Sequence, residues 1–351
     1  VATTARPDAP PARGRQRNIS LSPGENGMKV FITGGGGFLG YRLALRLLER
    51  RALAGPDGKP APISQIKLMD AVFPPATDPR LVCVKGDIAE AGAVVTAMDA
   101  DTDSVFHLAA VVSAGAEADF ELGYRVNLDG TRNLLEACRK LKAPPRLVFA
   151  SSLAVYGGKL PPVVDDSTTP TPQTSYGTQK VIGEYLVNDY TRKGFLDGRS
   201  LRLPTIVVRP GKPNLASTSF ASGMFREPLN GVVCEVPVED STEMWILSPG
   251  KVLNAFVHAH DLPAAAWGTN RAIGLPGITF AVREGVEALR RIAGDEVAKR
   301  IVFRPVERIN NMVRTFPARF NTPRAIELGF TADTDIDGII RDYIASEGIR
   351  I

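Results

Sequence analysis

The 351-residue chain lacks any run of the roughly 18 apolar residues that crosses a bilayer. It also lacks an apolar signal-peptide core ahead of its first strand-like segment. A soluble, cytoplasmic protein is expected. Cysteine is scarce: Cys83, Cys138 and Cys234 stand far apart with no C-x-x-C spacing, so neither a disulfide framework nor a zinc site follows. Reduced core thiols and no metal are expected. There is no large excess of charge of one sign either. Residues 1–27 hold four Arg against Asp8 and Glu25, and the remainder carries 38 basic and 36 acidic residues. That balance gives no basic patch for nucleic acid and none for a membrane surface.

The leading segment, 1–27, is rich in Pro, Gly and Arg and has no apolar periodicity, which predicts a disordered extension. From Met28 onward the pattern changes. Nearly continuous apolar runs at 29–33, 66–70, 81–85, 104–108, 146–151 and 201–208 read as strands buried on both faces. Helical periodicity lies between them at about 38–51, 89–99, 117–141 and 176–194. This alternation predicts an α/β protein with a Rossmann-type doubly wound parallel sheet. After Pro210 it degrades, with short strand-like pieces at 278–282 and 300–304. The expected division is a dinucleotide-binding domain over 28–210, with a return segment near 250–268. A smaller mixed α/β substrate lobe would occupy most of 211–351.

Chemistry enters at the first strand–helix junction, Thr33-Gly34-Gly35-Gly36-Gly37-Phe38-Leu39-Gly40. Glycines before a helix start leave backbone N–H groups open to a pyrophosphate and remove the Cβ atoms that would block it. The next long strand ends in Asp70, where a carboxylate would accept from both adenosine ribose hydroxyls and repel a 2′-phosphate, so NAD is favoured over NADP. Asp70 lies 30 residues beyond Gly40, more than the usual spacing of about 20, and the Pro/Gly-rich stretch 55–62 accounts for the excess as a surface loop. Tyr176-Gly177-Thr178-Gln179-Lys180 opens a helical segment, and a spacing of four puts the phenol and the ammonium on one face. That ammonium is expected to lower the phenol's pKa from about 10, making Tyr176 a general base. Ser152, at a strand end, reaches the same substrate oxygen.

These motifs, in this order with Gly86-Asp87-Ile88, His107-Leu108-Ala109-Ala110, Asn127 in VNLDGT and Arg209-Pro210, resemble the extended short-chain dehydrogenase/reductase family, the NAD-dependent epimerase/dehydratase group. The resemblance covers about 28–351. It implies that Asp87 and Ile88 flank the adenine, that Leu108, Ala109 and Ala110 pass the cofactor backbone, and that Asn127 and Pro210 belong to the cofactor site. It also implies that Ser152 and Tyr176 act on substrate and that Lys180 holds the nicotinamide ribose. Helices 117–141 and 176–194 resemble the pair that forms the family's dimer interface, so a homodimer is expected.

Nucleotide-sugar epimerases of the family place an arginine before F/Y-I-H-V-x-D to bind the diphosphate. The matching stretch Asn254-Ala255-Phe256-Val257-His258-Ala259-His260-Asp261 has Asn254 there, which argues against a nucleotide sugar. Lys212 and Asn214, after Arg209-Pro210, suit a small hydroxy acid, and Ser113 is a further substrate-binding candidate. FASSLAVYGG, PTPQTSYGTQKVIGE and DGRSLRLPTIVVRPGKPN resemble a dehydrogenase branch of the family. That likeness implies oxidation of the C2 hydroxyl of a four-carbon sugar acid by NAD⁺. The alternatives are an epimerase or dehydratase with tightly held NAD and a non-catalytic NAD-binding protein. His107 at a strand end, with His258 and His260 flanking an expected helix start, offers a metal or a histidine base against structural roles. Trp245 and Phe220 would either wall a pocket or fill a core.

Overall fold

The computed structural model describes residues 27–75, 77–211 and 218–351. The extension expected over 1–27 lies outside the described residues except for Gly27, whose carbonyl accepts from Ser64 Oγ at 2.8 Å. Lys212 and Asn214 also lie outside them.

A mostly parallel sheet forms the frame. Its strands are β1 (Met28–Thr33), β2 (Ala52–Ala54), β3 (Pro60–Asp70), β4 (Leu81–Lys85), β5 (Ser104–His107), β6 (Arg146–Ser152), β7 (Asp197–Leu203) and β11 (Ala272–Gly274). The order is β11-β7-β6-β5-β1-β3-β2, with β4 also paired to β3. The order reverses between β1 and β5, and ligands of open α/β sheets bind at such a switch point. Successive β1 residues serve opposite faces, as the two-residue strand period requires. Val30 and Ile32 pack with Phe106, Val148, Leu201 and Phe256. Phe31 packs with Val105, Leu147, Phe149 and Leu134 on the other side.

The helices that cover and flank the sheet are α1 (Phe38–Arg50), α2 (Ala91–Ala97), α3 (Ser113–Ala118), α4 (Phe120–Gly123), α5 (Gly130–Cys138) and α6 (Ser175–Arg192). A third core gathers C-terminally around Val207, Phe225, Val236, Ile246, Phe280, Leu289 and Ile339. It is built on β8 (Thr205–Ile206), β9 (Cys234–Val236), β10 (Glu243–Leu247), β12 (Ile278–Ala281), β13 (Ile301–Phe303) and α7 (Phe220–Leu229).

Four readings of the sequence are corrected. The stretch 55–62 is not all loop: Ala54 pairs with Pro60 and Ala52 with Pro62 in an antiparallel hairpin. Both prolines are tolerated because Gly55 and Ile63 supply the ladder N–H groups. The run 201–208 is two strands, since Pro204 has no N–H to continue the ladder, and β8 leaves to pair with β10. The helix expected over 117–141 is broken. Asp119 caps α4 through Leu122 N, and a π-helical turn, Tyr124–Asp129, follows. Finally, His258 and His260 do not flank a helix start, because they occupy the last turn of α8 (Pro249–Asp261), capped by Ser248 with Pro249 at its first position.

Among the described residues no helix is long and apolar enough to cross a membrane.

Candidate active site

The C-terminal ends of β1, β5 and β6 open into a cleft of about 320 Å³ that also receives the start of α6 and part of α7. On one wall the turn after β1 presents Gly34, Gly37, Phe38, Leu39 and Gly40. Gly37 caps α1 in extended backbone, without a side-chain cap. A Cβ built on Gly37 would meet Gly34 O at 3.2 Å, a tight contact that a shift of a few tenths of an ångström relieves, so packing alone asks less of this glycine than of Gly177. The glycine turn faces the cleft at a helix N-terminus, as close approach of a pyrophosphate requires. The residues present therefore fit a dinucleotide. Asp70 closes the turn from behind: Oδ2 accepts from Gly36 N at 3.0 Å and Oδ1 from Ala71 N at 2.7 Å. A carboxylate has about four acceptor sites, so these bonds leave capacity for ribose hydroxyls.

The reacting groups meet on the facing wall. Ser152 ends β6, and its Oγ accepts from Ala154 N at 3.1 Å. Thr174 caps α6 by accepting from Gly177 N at 3.1 Å. A Cβ at Gly177 would lie 2.0 Å from Ala154 O, so only glycine lets the helix start press onto the turn after β6. That contact brings Tyr176 into the cleft beside Ser152. One turn on, Lys180 Nζ donates to Ala150 O at 2.8 Å and lies 5.5 Å from the centre of the Tyr176 ring.

The electrostatics depart from the expectation that Lys180 lowers the tyrosine's pKa. Burial pushes the Tyr176 phenol up to about 12, opposed by the neighbouring Ser152 hydroxyl. Burial likewise pulls the Lys180 ammonium down to about 7, opposed by Glu184. Desolvation penalises both charged forms and outweighs the opposing pull of Ser152 on the one and of Glu184 on the other. Glu184 is held in turn by Ser151 Oγ at 2.5 Å and by Arg202, which also donates to Tyr156 Oη.

Of the other residues singled out in the sequence, Leu108, Ala110 and Ser113 line the cleft. Ala109 packs into the core beside Thr33, to whose Oγ1 its N–H donates. Asn127 does not reach the cleft lining: it exchanges two bonds with the backbone of Val111 and donates to Gln179 Oε1 at 2.7 Å, pinning the segment after β5. Asp87 accepts from Ala89 N and Arg125, while Ile88 is buried against Gly130. Pro210 is outside the lining, whereas its neighbour Arg209 is in it.

Position 254 is also relocated. Asn254 lies on the exposed side of α8 and accepts from Arg46 of α1, away from the cleft, so its identity carries no argument about substrate. The cleft's arginines are instead Arg209 and Arg226, neither assigned a role from the sequence.

The histidines have structural partners. Thr131 Oγ1 donates to Asn127 O and so accepts from His107 Nε2, leaving Nδ1 to accept from Thr33. Burial and then Lys180 pull His107 down to about 3. His260 bonds Ser104 and Asp261, and His258 Nε2 donates to Leu328 O at 2.7 Å. Trp245 and Phe220 are core residues.

Comparison with known proteins shows the family. The sequence pattern of the NAD dependent epimerase/dehydratase family matches residues 30–272. The chain is 51% identical over 323 residues to the D-erythronate dehydrogenase of Cupriavidus necator, spanning 92% of this chain and 99% of that one. It is 43% identical over 319 residues to the D-erythronate dehydrogenase of Haemophilus influenzae, spanning 90% and 99%. Among solved structures it is similar to one described as the nucleoside-diphosphate-sugar epimerase of Agrobacterium tumefaciens. There the identity is 39%, the TM-score 0.85 and the coverage 94% and 98%.

Proposed function

The chain belongs to the NAD dependent epimerase/dehydratase family, and from that premise we propose that it oxidises D-erythronate at C2 to 2-dehydro-D-erythronate. It is an NAD-dependent oxidoreductase. The observation that carries the finer reading is the meeting of Ser152, Tyr176 and Lys180 across one cleft from the glycine turn, with no acidic side chain among the described lining residues. A cleft of that charge suits an anionic substrate.

The glycine turn and the N-terminus of α1 would hold the NAD pyrophosphate, Asp70 the adenosine ribose and Lys180 the nicotinamide ribose. Asp87, Ile88, Leu108 to Ala110, Asn127 and Pro210 would shape or support the remainder. NAD⁺, when bound, accepts the hydride from C2 and brings positive charge to the site. Tyr176 takes the hydroxyl proton from the same carbon, so the C–H and O–H bonds break as the carbonyl forms. Ser152 orients that hydroxyl and donates to the oxygen as negative charge develops. Lys180, when charged, stabilises the phenolate electrostatically, and Glu184 works against burial to keep it charged. Ser113, Lys212 and Asn214 are proposed substrate contacts.

We read 28–210, with a return near 250–268, as the cofactor unit and most of 211–351 as the substrate lobe. Tyr185 on α6 and Phe120 on α4 are 66% and 55% exposed, and exposed aromatics on the two segments that the family resemblance assigns to a dimer interface support a homodimer. A cytoplasmic setting suits three free cysteines.

A second reading, an epimerase acting on a nucleotide sugar, is favoured by the similarity to the Agrobacterium tumefaciens protein. The two differ in net reduction. Purified protein is mixed with NAD⁺ and a panel of C4 to C6 aldonates and UDP-sugars while NADH absorbance is followed. Steady accumulation with D-erythronate is expected. Interconversion of a UDP-sugar without net NADH would overturn the dehydrogenase reading.

A further inference from the structure

A dehydrogenase for a sugar acid must recognise the carboxylate as well as the hydroxyl. Among the described residues that line the cleft, the cations are Lys180, Arg209 and Arg226. Lys180 is committed to Ala150 O beside the Tyr176 ring. Arg226, on α7, is only 6% exposed. Its Nη1 donates to Arg209 O at 2.8 Å and its Nη2 to Glu227 Oε1 at 2.6 Å. Those bonds fix the plane of a guanidinium that has five donors in a rigid fork, a shape matched to a carboxylate. Ser222 Oγ accepts from Arg209 N at 3.0 Å and donates to Ile206 O at 3.2 Å, locking the segment after β8 to α7. The Arg209 guanidinium lies 5.5 Å from the centre of the Phe38 ring, which follows the glycine turn. Burial and then the charge of Arg226 hold Arg209 below the usual arginine range. Two cations crowd one wall, and a bound anion relieves them.

We infer that Arg226, flanked by Arg209, forms the subsite that receives the substrate carboxylate and makes the enzyme selective for an aldonate over the corresponding neutral polyol. The inference rests on the sugar-acid reading above. Arg226 supplies the fixed contact, and Arg209 completes the positive wall on the cofactor side. Glu227 orients Arg226 from behind and offsets part of its charge, so the fork's direction as well as its charge sets the selectivity.

The test measures binding of D-erythronate and of erythritol by calorimetry in saturating NADH, together with kcat/KM for both in saturating NAD⁺. Wild type, Arg226→Gln, Arg226→Lys and Arg209→Gln are compared. Arg226→Gln is expected to weaken D-erythronate binding by about 10- to 100-fold, with the loss in KM rather than kcat. Erythritol and NAD⁺ affinities should stay within about twofold, and Arg226→Lys should recover part of the loss. Should Arg226→Gln fail to fold, Arg209→Gln carries the same expectation with a smaller effect.

Equal losses for acid and polyol would overturn the subsite, as would NAD⁺ weakened as much as the acid, which would assign the arginines to the pyrophosphate. A wild type that turns over no aldonate would overturn the reading of function instead. Turnover of D-erythronate with selectivity unchanged in the variants would sink the subsite alone.

Discussion

Lys180→Met isolates the electrostatic part of the proposed mechanism. The ammonium lies 5.5 Å from the centre of the Tyr176 ring. While Lys180 carries its proton, a unit charge about that far from the ring, at an effective dielectric of about 20, favours the phenolate by on the order of 3 kcal/mol, or about two pKa units. Removing it should raise the pKa of the bound enzyme's base by that amount. Activity requires the deprotonated base and falls as pH drops through its pKa, so the acid limb of the profile should move to higher pH. The assay is kcat for D-erythronate oxidation across the alkaline range in saturating NAD⁺, which removes any change in cofactor affinity from the reading. About 100-fold should be lost at pH values below the limb, with the two profiles converging above it. Lys180→Arg should recover much of the shift, because a guanidinium stays charged where a buried lysine is pulled toward neutrality. A uniform loss at every pH, with the limb unmoved, would refute the electrostatic role and leave Lys180 as a positioning residue.

Tyr176→Phe should lower kcat by about 10²- to 10⁴-fold while NAD⁺ affinity, followed by fluorescence titration, changes little. Gly37→Ala and Gly177→Ala should separate ligand from fold. The first adds a Cβ 3.2 Å from Gly34 O, which a small backbone shift relieves, so it should lower the melting temperature far less than the second yet bind NAD⁺ at least about tenfold more weakly. The second drives a Cβ to 2.0 Å from Ala154 O and should lower both the melting temperature and kcat. His107 and His260 are pulled by burial to about 3 and about 4, below their unfolded value near 6.5. The unfolded chain therefore binds more protons below pH 6.5, and stability present above that value is lost as pH falls through the window. Between pH 6.5 and 5 each should cost about 2 kcal/mol. Urea unfolding at the two pH values measures the loss, and His107→Gln should remove about half of it.

What could be read from the chain divides by range. The Tyr176 to Lys180 spacing is one helical turn, and the glycine turn is a strand–helix junction, so both depend on neighbours in sequence and were legible there. The failures come from two sources. The motif that aligns Asn254 with a diphosphate-binding arginine ignores its local element, since Ser248 and Pro249 mark a helix start that places 254 on an outer face. Arg226 had no local signal, because its place in the cleft depends on α7 docking against the segment after β8 through Ser222 and Arg209. The raised Tyr176 and lowered Lys180 pKa values are of this second kind. Spacing sets which groups meet, but the desolvation that decides their charge comes from burial by the assembled fold, against the cation–π contact of Lys180 Nζ with the Phe149 ring at 4.7 Å. The cation that the phenolate needs is therefore costly to keep in this fold. That cost explains why Glu184, itself fixed by Arg202 and Ser151, lies one turn beyond Lys180 on the same helix.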